Sequence, residues 1–520
     1  MISVATVQLC ESMLYCGNGF FFRNIGFPLK LVKQSMSASN SSESTISADL
    51  ITALRQVIGA EGVLTAFSDR MVFECDGFTI EKDCPDVVVF PRTTAQIAAV
   101  VALCNQYKVP FLPRGAGTSL AGGTLAVGGG VMLVLTRMNE ILEINLRDRY
   151  AIVEPGVVNI RLTQSLQGSG YHYAPDPSSQ SACTIGGNVA TNSGGPHTLK
   201  YGVTVNHILG LEFVTAAGEI VTVGGPCGGC SGLDITGVLV GSEGTLAIVS
   251  KVWVRLTRNP QGVRTMLAVF DSVADCTTAI SAIIGAGIIP AALEMIDHDI
   301  MVALEEAFKF GFPLDAEAVL IIEVDGIDAG LDDQRDRIVQ LCLDNGARDV
   351  QQAEDEKQRQ HLWRARKQAF GAIGRLSSSL VTQDGVVPRT QLPYIYDKIM
   401  EIGKKHDIQI VNVFHAGDGN IHPVMLFDER DASQIQRVLM AGGEILEACL
   451  EVGGSVTGEH GIGVEKMHFM KKMFTPEDLE VMSALRDAFN PGNKLSPDKM
   501  LPVAGACGME RKHPSRMVAT

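Results

Sequence analysis

The sequence is short of positive charge. Among its 520 residues, 43 are Lys or Arg against 58 Asp or Glu, a formal net charge of −15. A surface of that sign repels a phosphate backbone, so nucleic acid is excluded as a partner. A cysteine framework is missing too. The 12 cysteines are scattered along the chain, which does not suit a disulfide scaffold and leaves a reducing, intracellular setting as the default. One CxxC occurs, Cys227-Gly-Gly-Cys230, with no second pair near it, and it reads as an incidental loop rather than a redox or metal site. No four-cysteine set is present for an iron–sulfur cluster.

Long hydrophobic runs are also lacking. The uncharged stretch from Gly115 to Thr136 has the length of a membrane span, but seven of its residues are glycine and Thr118, Ser119 and Thr124 interrupt it. It reads as loop and short strand, so no transmembrane segment is expected. At the start of the chain no basic region precedes an apolar core, and Glu11 breaks the run, which excludes a secretory signal. Residues 35–47 hold seven serines. Residues 1–48 therefore read as a flexible leader or, with Met36 as the true start, a mis-assigned one. A single arginine there, Arg23, is poor support for an organellar transit peptide. The expected compartment is the cytoplasm.

What the chain has in plenty is glycine, 54 residues or about 10% against a usual ~7%. Glycine is entropically costly, so such an excess implies backbone that must approach something closely. Apolar residues at 46% and charged residues at 19% exclude a disordered chain. The length predicts two to four domains at roughly 150 residues each.

A helix is expected from Ile51 to Ile58. Val87 to Phe90 is a β-rich run, Thr93 and Thr94 offer a cap, and Ile97, Val100, Val101 and Cys104 follow at helical spacing. Pro110-Phe-Leu112 then leads into a glycine loop, completing a βαβ unit. Further strands are expected at 131–135, 152–153, 210–215, 219–223 and 246–256. Asn259-Pro260 marks a boundary, which gives a domain at 49–260, a second α+β domain at 261–502 and a tail at 503–520. In the second domain, strands are expected at 267–270, 318–324 and 408–414. Helices are expected at 272–284, 334–345 and 432–452, with a helix-rich stretch at 352–376.

The loop Pro113-Arg-Gly-Ala-Gly-Thr-Ser119 suits an anion, because glycines let backbone N–H groups converge. It is not the Rossmann fingerprint, which would need glycine where Leu120 stands and a helix afterwards. Three more loops of small, hydroxyl or amide residues follow: Pro175 to Gln180 running into Thr184-Ile-Gly-Gly-Asn188, Asn192 to Gly195, and Gly241-Ser-Glu-Gly-Thr245. Turns alone account poorly for all of them in one domain.

On these loops, residues 83–257 resemble the flavin-binding domain of the vanillyl-alcohol-oxidase (PCMH) type. The matching motifs are PRGAGTSLAGG, PDPSSQSACTIGGNVATNSGG, KYG and VGSEGTLAIV. The resemblance implies a two-part FAD-binding domain. It implies FAD contacts at Arg114, Gly115, Ala116, Gly117, Thr118, Ser119, Pro175, Asp176, Ser179, Thr184, Gly186, Gly187, Asn188, Glu243, Gly244 and Ile248. Members that attach FAD covalently often carry a histidine in the first loop. Thr118 and Ser119 stand there, so the FAD is expected to be non-covalent.

Val413-Phe-His415-Ala-Gly-Asp-Gly-Asn-Ile-His422-Pro holds two histidines in flanking apolar strands. If Gly417 to Asn420 closes a hairpin, residue 415 faces 422 and their Cβ atoms lie ~4.5–5.5 Å apart. Two imidazoles there suit one metal ion, and Gly458-Glu459-His460-Gly461 offers a third ligand. Such a set suits Zn²⁺, Mn²⁺ or Fe²⁺. It would equally suit a metallohydrolase, although the helical HExxH arrangement is absent.

The motifs HAGDGNIHP, GGSVTGEHGIGVEK and NPGNKLSPDKMLP resemble the α+β C-terminal substrate and metal domain of FAD-linked 2-hydroxy-acid dehydrogenases, most of all the glycolate oxidase D-subunit group. The resemblance spans about 50–502. It implies His415, His422 and Glu459 as metal ligands, His460 as the catalytic base and Arg366 as the clamp for the substrate carboxylate. It implies oxidation of glycolate or D-lactate to the 2-oxo acid, with hydride passing to flavin N5. An iron–sulfur subunit and a second flavin-type subunit at the inner membrane face are the implied electron-transfer partners. Relatives that handle diacids such as D-2-hydroxyglutarate carry a lysine near Thr382. A neutral residue there favours a small monoacid, with the diacid reaction as the alternative.

Overall fold

Thr93 caps the first long helix as its sequence requires. Its hydroxyl accepts the Gln96 N–H at 3.2 Å, and the helix runs Thr94–Tyr107 with Ile97, Val100, Val101 and Cys104 fully buried. The computed structural model describes residues 46–228 and 232–502. Cys230 of the CxxC pair, most of the leader and the tail lie outside them. The first helix, Ala48–Ile58, begins earlier than Ile51 because the Ser47 hydroxyl accepts the Leu50 N–H.

The expected βαβ unit consists of Val87–Val89, the capped helix and Phe111–Arg114. The two strands do not pair with each other. Both pair in parallel with Val131–Val134, which inserts between them. The glycine loop leaves the carboxyl end of Phe111–Arg114, where parallel sheets gather their ligands. A second, antiparallel sheet completes this lobe, in the order Ile141–Asn145, Tyr150–Val153, Ala247–Arg255, Ile208–Thr215, Ile220–Gly224.

The second lobe is built on one large antiparallel sheet. Its order is Ala347–Gln352, Gly262–Phe270, Ala318–Gly326, Ala292–Asp297, Gln409–His415, Asn420–Phe427, Ser379–Thr382. Alternate side chains sort onto opposite faces. Met266, Ala268 and Phe270 join one core with the helices Val273–Gly285, Leu331–Asp344, Leu392–His406 and Ala432–Glu451. Leu267 and Val269 join another with His298–Phe308 and Glu356–Ile373. Because both faces are covered there, inner strands such as Ala318–Gly326 and Asn420–Phe427 are buried along almost their whole length.

The same parity positions the chemistry. Ile296, Val413 and Val424 belong to the core under Glu356–Ile373. Glu294, His415 and His422 are each two residues from one of them and so share that face, near the strand ends. The helix Glu356–Ile373, capped where Asp355 accepts the Gln358 N–H at 2.8 Å, carries Trp363, Arg366 and Lys367 across it. The chain then returns to the first lobe: Leu495 forms a bridge with Phe111 and joins its core.

Candidate active site

A cavity of about 390 Å³ is lined by both lobes. Residues 114–119 (Arg114, Gly115, Ala116, Gly117, Thr118 and Ser119), Ser179, Thr184, Gly186, Gly187, Asn188, Glu243 and Gly244 form its first-lobe walls. His422, Glu459, His460, Lys367 and Phe370 line it from the second lobe. The walls fit a phosphate-bearing cofactor. At Gly115 a Cβ would come within 2.5 Å of the Thr184 hydroxyl, so only bare backbone leaves that space open. The Ser119 hydroxyl is buried and without a partner, a donor set aside for a ligand.

Three predicted contacts stand back from the cavity. Ile248 is fully buried in the core of the first lobe, while its neighbours Ala247 and Val249 line the wall, as strand alternation requires. The Pro175 carbonyl accepts the Asn159 amide at 3.0 Å. Asp176 holds His197 at 2.8 Å. His197 in turn lies 3.5 Å from Glu323, which also accepts from Trp363 at 2.6 Å and Arg359 at 2.9 Å. This chain of contacts ties the loop after Pro175 to the helix that carries Arg366. Lys200 and Tyr201 of the KYG motif make a parallel link to Asp325.

The histidine hairpin forms, with a register two residues away from the simple one. Val413 faces His422 and His415 faces Asn420. The turn is 416–419 rather than 417–420, and Gly419 takes φ +84° within it. A slip of two preserves the face, so the imidazoles still meet, now as a diagonal pair with ring centroids 5.0 Å apart. Glu459 Oε1 lies 3.3 Å from His415 Nε2 and 3.6 Å from His422 Nε2. The three donors lie within 4.8 Å of one another, and neither Nε2 has a hydrogen-bond partner. Two imidazoles and a carboxylate with free donor atoms fit a divalent metal. Asp384, His422 and His460 form a second such grouping that shares His422.

Glu294, directly across the sheet from His415, accepts from its Nδ1 at 2.8 Å. A carboxylate on one ring nitrogen turns the other toward the metal position. Burial disfavours charge on His415, but Glu294 and then Glu459 raise its pKa to about 10. Burial likewise opposes ionisation of Glu459, yet the histidines, His415 foremost, bring it down to about 2. The cluster thus stabilises positive charge at its centre. His460 stacks on His422 with centroids 4.9 Å apart, and burial lowers its pKa to about 4 against the pull of Asp384.

Arg366 does not line the cavity. It is 1% exposed, its Nε donates to Glu294 at 2.6 Å, and its Nη2 is buried without a partner. Lys367 is the side chain of that turn that reaches the wall. Asp384 is a further site residue, and sequence reasoning missed it. Its Oδ2 accepts from the backbone of Gly458, Glu459 and His460, with Lys466 Nζ at 3.6 Å. The one available signal for Glu294 was a lone acid inside the apolar run Ala292-Leu-Glu-Met-Ile. Asp384 had no such signal.

Among the described residues no helix is long and apolar enough to cross a membrane. A glycine-walled cavity ending on a histidine–carboxylate cluster defines a cofactor-dependent enzyme of two lobes. Comparison gives the cofactor. The family described as FAD binding domain matches residues 85–224, and that described as FAD linked oxidases, C-terminal domain, matches 259–500. Glycolate oxidase subunit GlcD of Escherichia coli (strain K12) is 42% identical over 458 residues, covering 88% of this chain and 92% of the relative. A probable mitochondrial D-lactate dehydrogenase of Danio rerio is 31% identical, covering 87% and 91%. The solved structure of p-cresol methylhydroxylase with substrate bound superposes with a TM-score of 0.72 at 17% identity, covering 87% and 96%, and shows the shared fold. The chain belongs to the FAD-linked oxidase family that contains the glycolate oxidase D-type subunits and D-lactate dehydrogenases.

Proposed function

We propose that this protein oxidises a short 2-hydroxy acid, glycolate or D-lactate, to the corresponding 2-oxo acid. The observation that carries this reading is the continuity of the cavity: its FAD-type glycine walls end on His422, Glu459 and His460. The relatives' names support the substrate class. When bound, FAD supplies the two-electron oxidation of the substrate carbon. It is held without a covalent bond by the loops at 114–119 and 184–188.

His415, His422 and Glu459 would hold a divalent metal, Zn²⁺, Mn²⁺ or Fe²⁺, which would supply Lewis-acid chemistry beside His460. His460 takes the hydroxyl proton on a ring nitrogen as general base. Lys367 on the wall takes the substrate carboxylate, with Arg366 held on Glu294 behind it. Thr382, neutral and buried, favours a monoacid over a diacid. Electrons leave to a partner, for which we propose an iron–sulfur subunit and a second flavin-type subunit, because the relatives include a subunit by name and this chain has no cluster motif. Those partners bring an otherwise cytoplasmic protein to the inner membrane face.

Anaerobic bleaching of the flavin tests the reading, using a panel of glycolate, D-lactate, L-lactate and D-2-hydroxyglutarate. Bleaching by glycolate or D-lactate supports it. A protein that binds no flavin, or whose flavin none of these reduces, sinks it.

A further inference from the structure

The loop that presents Glu459 and His460 is held from both lobes by carboxylates on its backbone. From the second lobe, Asp384 Oδ2 accepts from Gly458 at 3.0 Å, Glu459 at 3.2 Å and His460 at 2.8 Å. From the first lobe, Glu243 Oε1 accepts from Ile462 at 2.7 Å and Oε2 from Gly463 at 2.8 Å. Each Glu243 oxygen thus takes its own N–H, a two-pronged contact between one carboxylate and two backbone donors.

The surrounding backbone is shaped for this contact. Glu243 adopts φ +53°, an uncommon conformation for a side-chain-bearing residue, and its own N–H donates to the Ala190 carbonyl at 2.7 Å. Gly461 takes φ +88°, and a Cβ there would lie 2.8 Å from Glu243 Oε1. At Gly463 a Cβ would strike the Ala121 carbonyl at 1.9 Å. The second and third glycines of the GEHGIG motif therefore let the loop close onto the first lobe. Glu243 itself lines the cavity between Ser242 and Gly244.

We propose that Glu243 is a positioning residue: it fixes His460 relative to the flavin-side wall by clamping the backbone two and three residues beyond it. The proposal rests on the oxidase reading above for its kinetic consequence. For its geometry it rests only on these bonds. It assigns to Glu243 a task different from contacting FAD.

The test compares Glu243→Gln, Glu243→Asp and Glu243→Ala holoenzymes with wild type. Flavin content is read by absorbance, metal content by elemental analysis, and backbone protection at Ile462 and Gly463 by amide hydrogen exchange. Glutamine keeps the shape but turns an NH₂ toward an N–H donor. We expect all three variants to retain flavin and metal, and Ile462 and Gly463 to exchange faster in Glu243→Gln by about tenfold to a hundredfold, the worth of a hydrogen bond to a charged acceptor. kcat should fall by a similar factor with KM nearly unchanged, and Glu243→Asp, with both anionic oxygens, should recover part of what Glu243→Ala loses. Flavin lost in step with activity would overturn the assignment and make Glu243 a cofactor ligand. Unchanged exchange at Ile462 and Gly463 would overturn it as well. If no 2-hydroxy acid reduces the wild-type flavin, the oxidase reading fails, while exchange and flavin content still decide the role of Glu243.

Discussion

Replacing Glu294 with glutamine should weaken metal retention and fold stability together while leaving flavin content intact. Glu294 is fully buried and serves two cations: Oε1 accepts from His415 Nδ1 at 2.8 Å and Oε2 from Arg366 Nε at 2.6 Å. Glutamine can satisfy one of these and sets an NH₂ against the other. Loss of one charged hydrogen bond costs about 1.5–3 kcal/mol. Full truncation in Glu294→Ala leaves the buried Arg366 guanidinium unpaired, which costs about 3–5 kcal/mol. Against a usual total of about 5–15 kcal/mol, the alanine variant lies near the folding threshold and the glutamine variant does not. For the metal, losing an outer partner of a ligating histidine should weaken affinity about 10- to 100-fold. Urea unfolding of the metal-free proteins measures the first effect, and competition with a chelator the second. A double-mutant cycle with Arg366→Met isolates the pair: removing both charges should cost less than the sum of the single changes, by about 0.5–3 kcal/mol. Strict additivity, or a Glu294→Gln protein with wild-type metal affinity, would refute the view of Glu294 as the hub between His415 and Arg366.

Three further outcomes are expected. His460→Gln should keep metal and flavin near stoichiometric while substrate-driven flavin reduction slows by roughly 10²–10⁴; loss of metal instead would make His460 a ligand. Acid precipitation of the holoenzyme should release the flavin to the supernatant, and yellow colour left in the pellet would show a covalent bond. The His197 contacts give a pH dependence with a definite sign. Burial disfavours its charge, but Asp176 and then Glu323 raise its pKa to about 10, above an unfolded value of about 6.5. The stabilisation is therefore complete below the unfolded value and is lost as pH rises toward the folded one. The difference in urea midpoint between wild type and His197→Gln should be largest near about pH 6 and shrink by about pH 10; a gap that does not change with pH would count against the interaction.

Local features were legible in the sequence because neighbours along the chain determine them. The Thr93 cap, the helical spacing of Ile97, Val100, Val101 and Cys104, and the glycine loops all depend on residues a few positions apart. So does the proximity of His415 to His422, since a hairpin needs only a turn. Even there the register was decided by folding, with the turn at 416–419 and Gly419 in the left-handed region. What surrounds the cluster came from further away. Glu294 lies 121 residues from His415 along the chain, Asp384 lies 76 from His460, and Glu243 lies 219 from Ile462. Likewise the sequence singled out Arg366 beside Trp363, but only the packed sheet shows it buried behind the cavity wall while Lys367 reaches it. Spacing along a strand or helix tells which face a residue takes. Which residue meets it across that face depends on strand order and on the docking of the two lobes, and these are set by burial of the whole core rather than by any local run of residues.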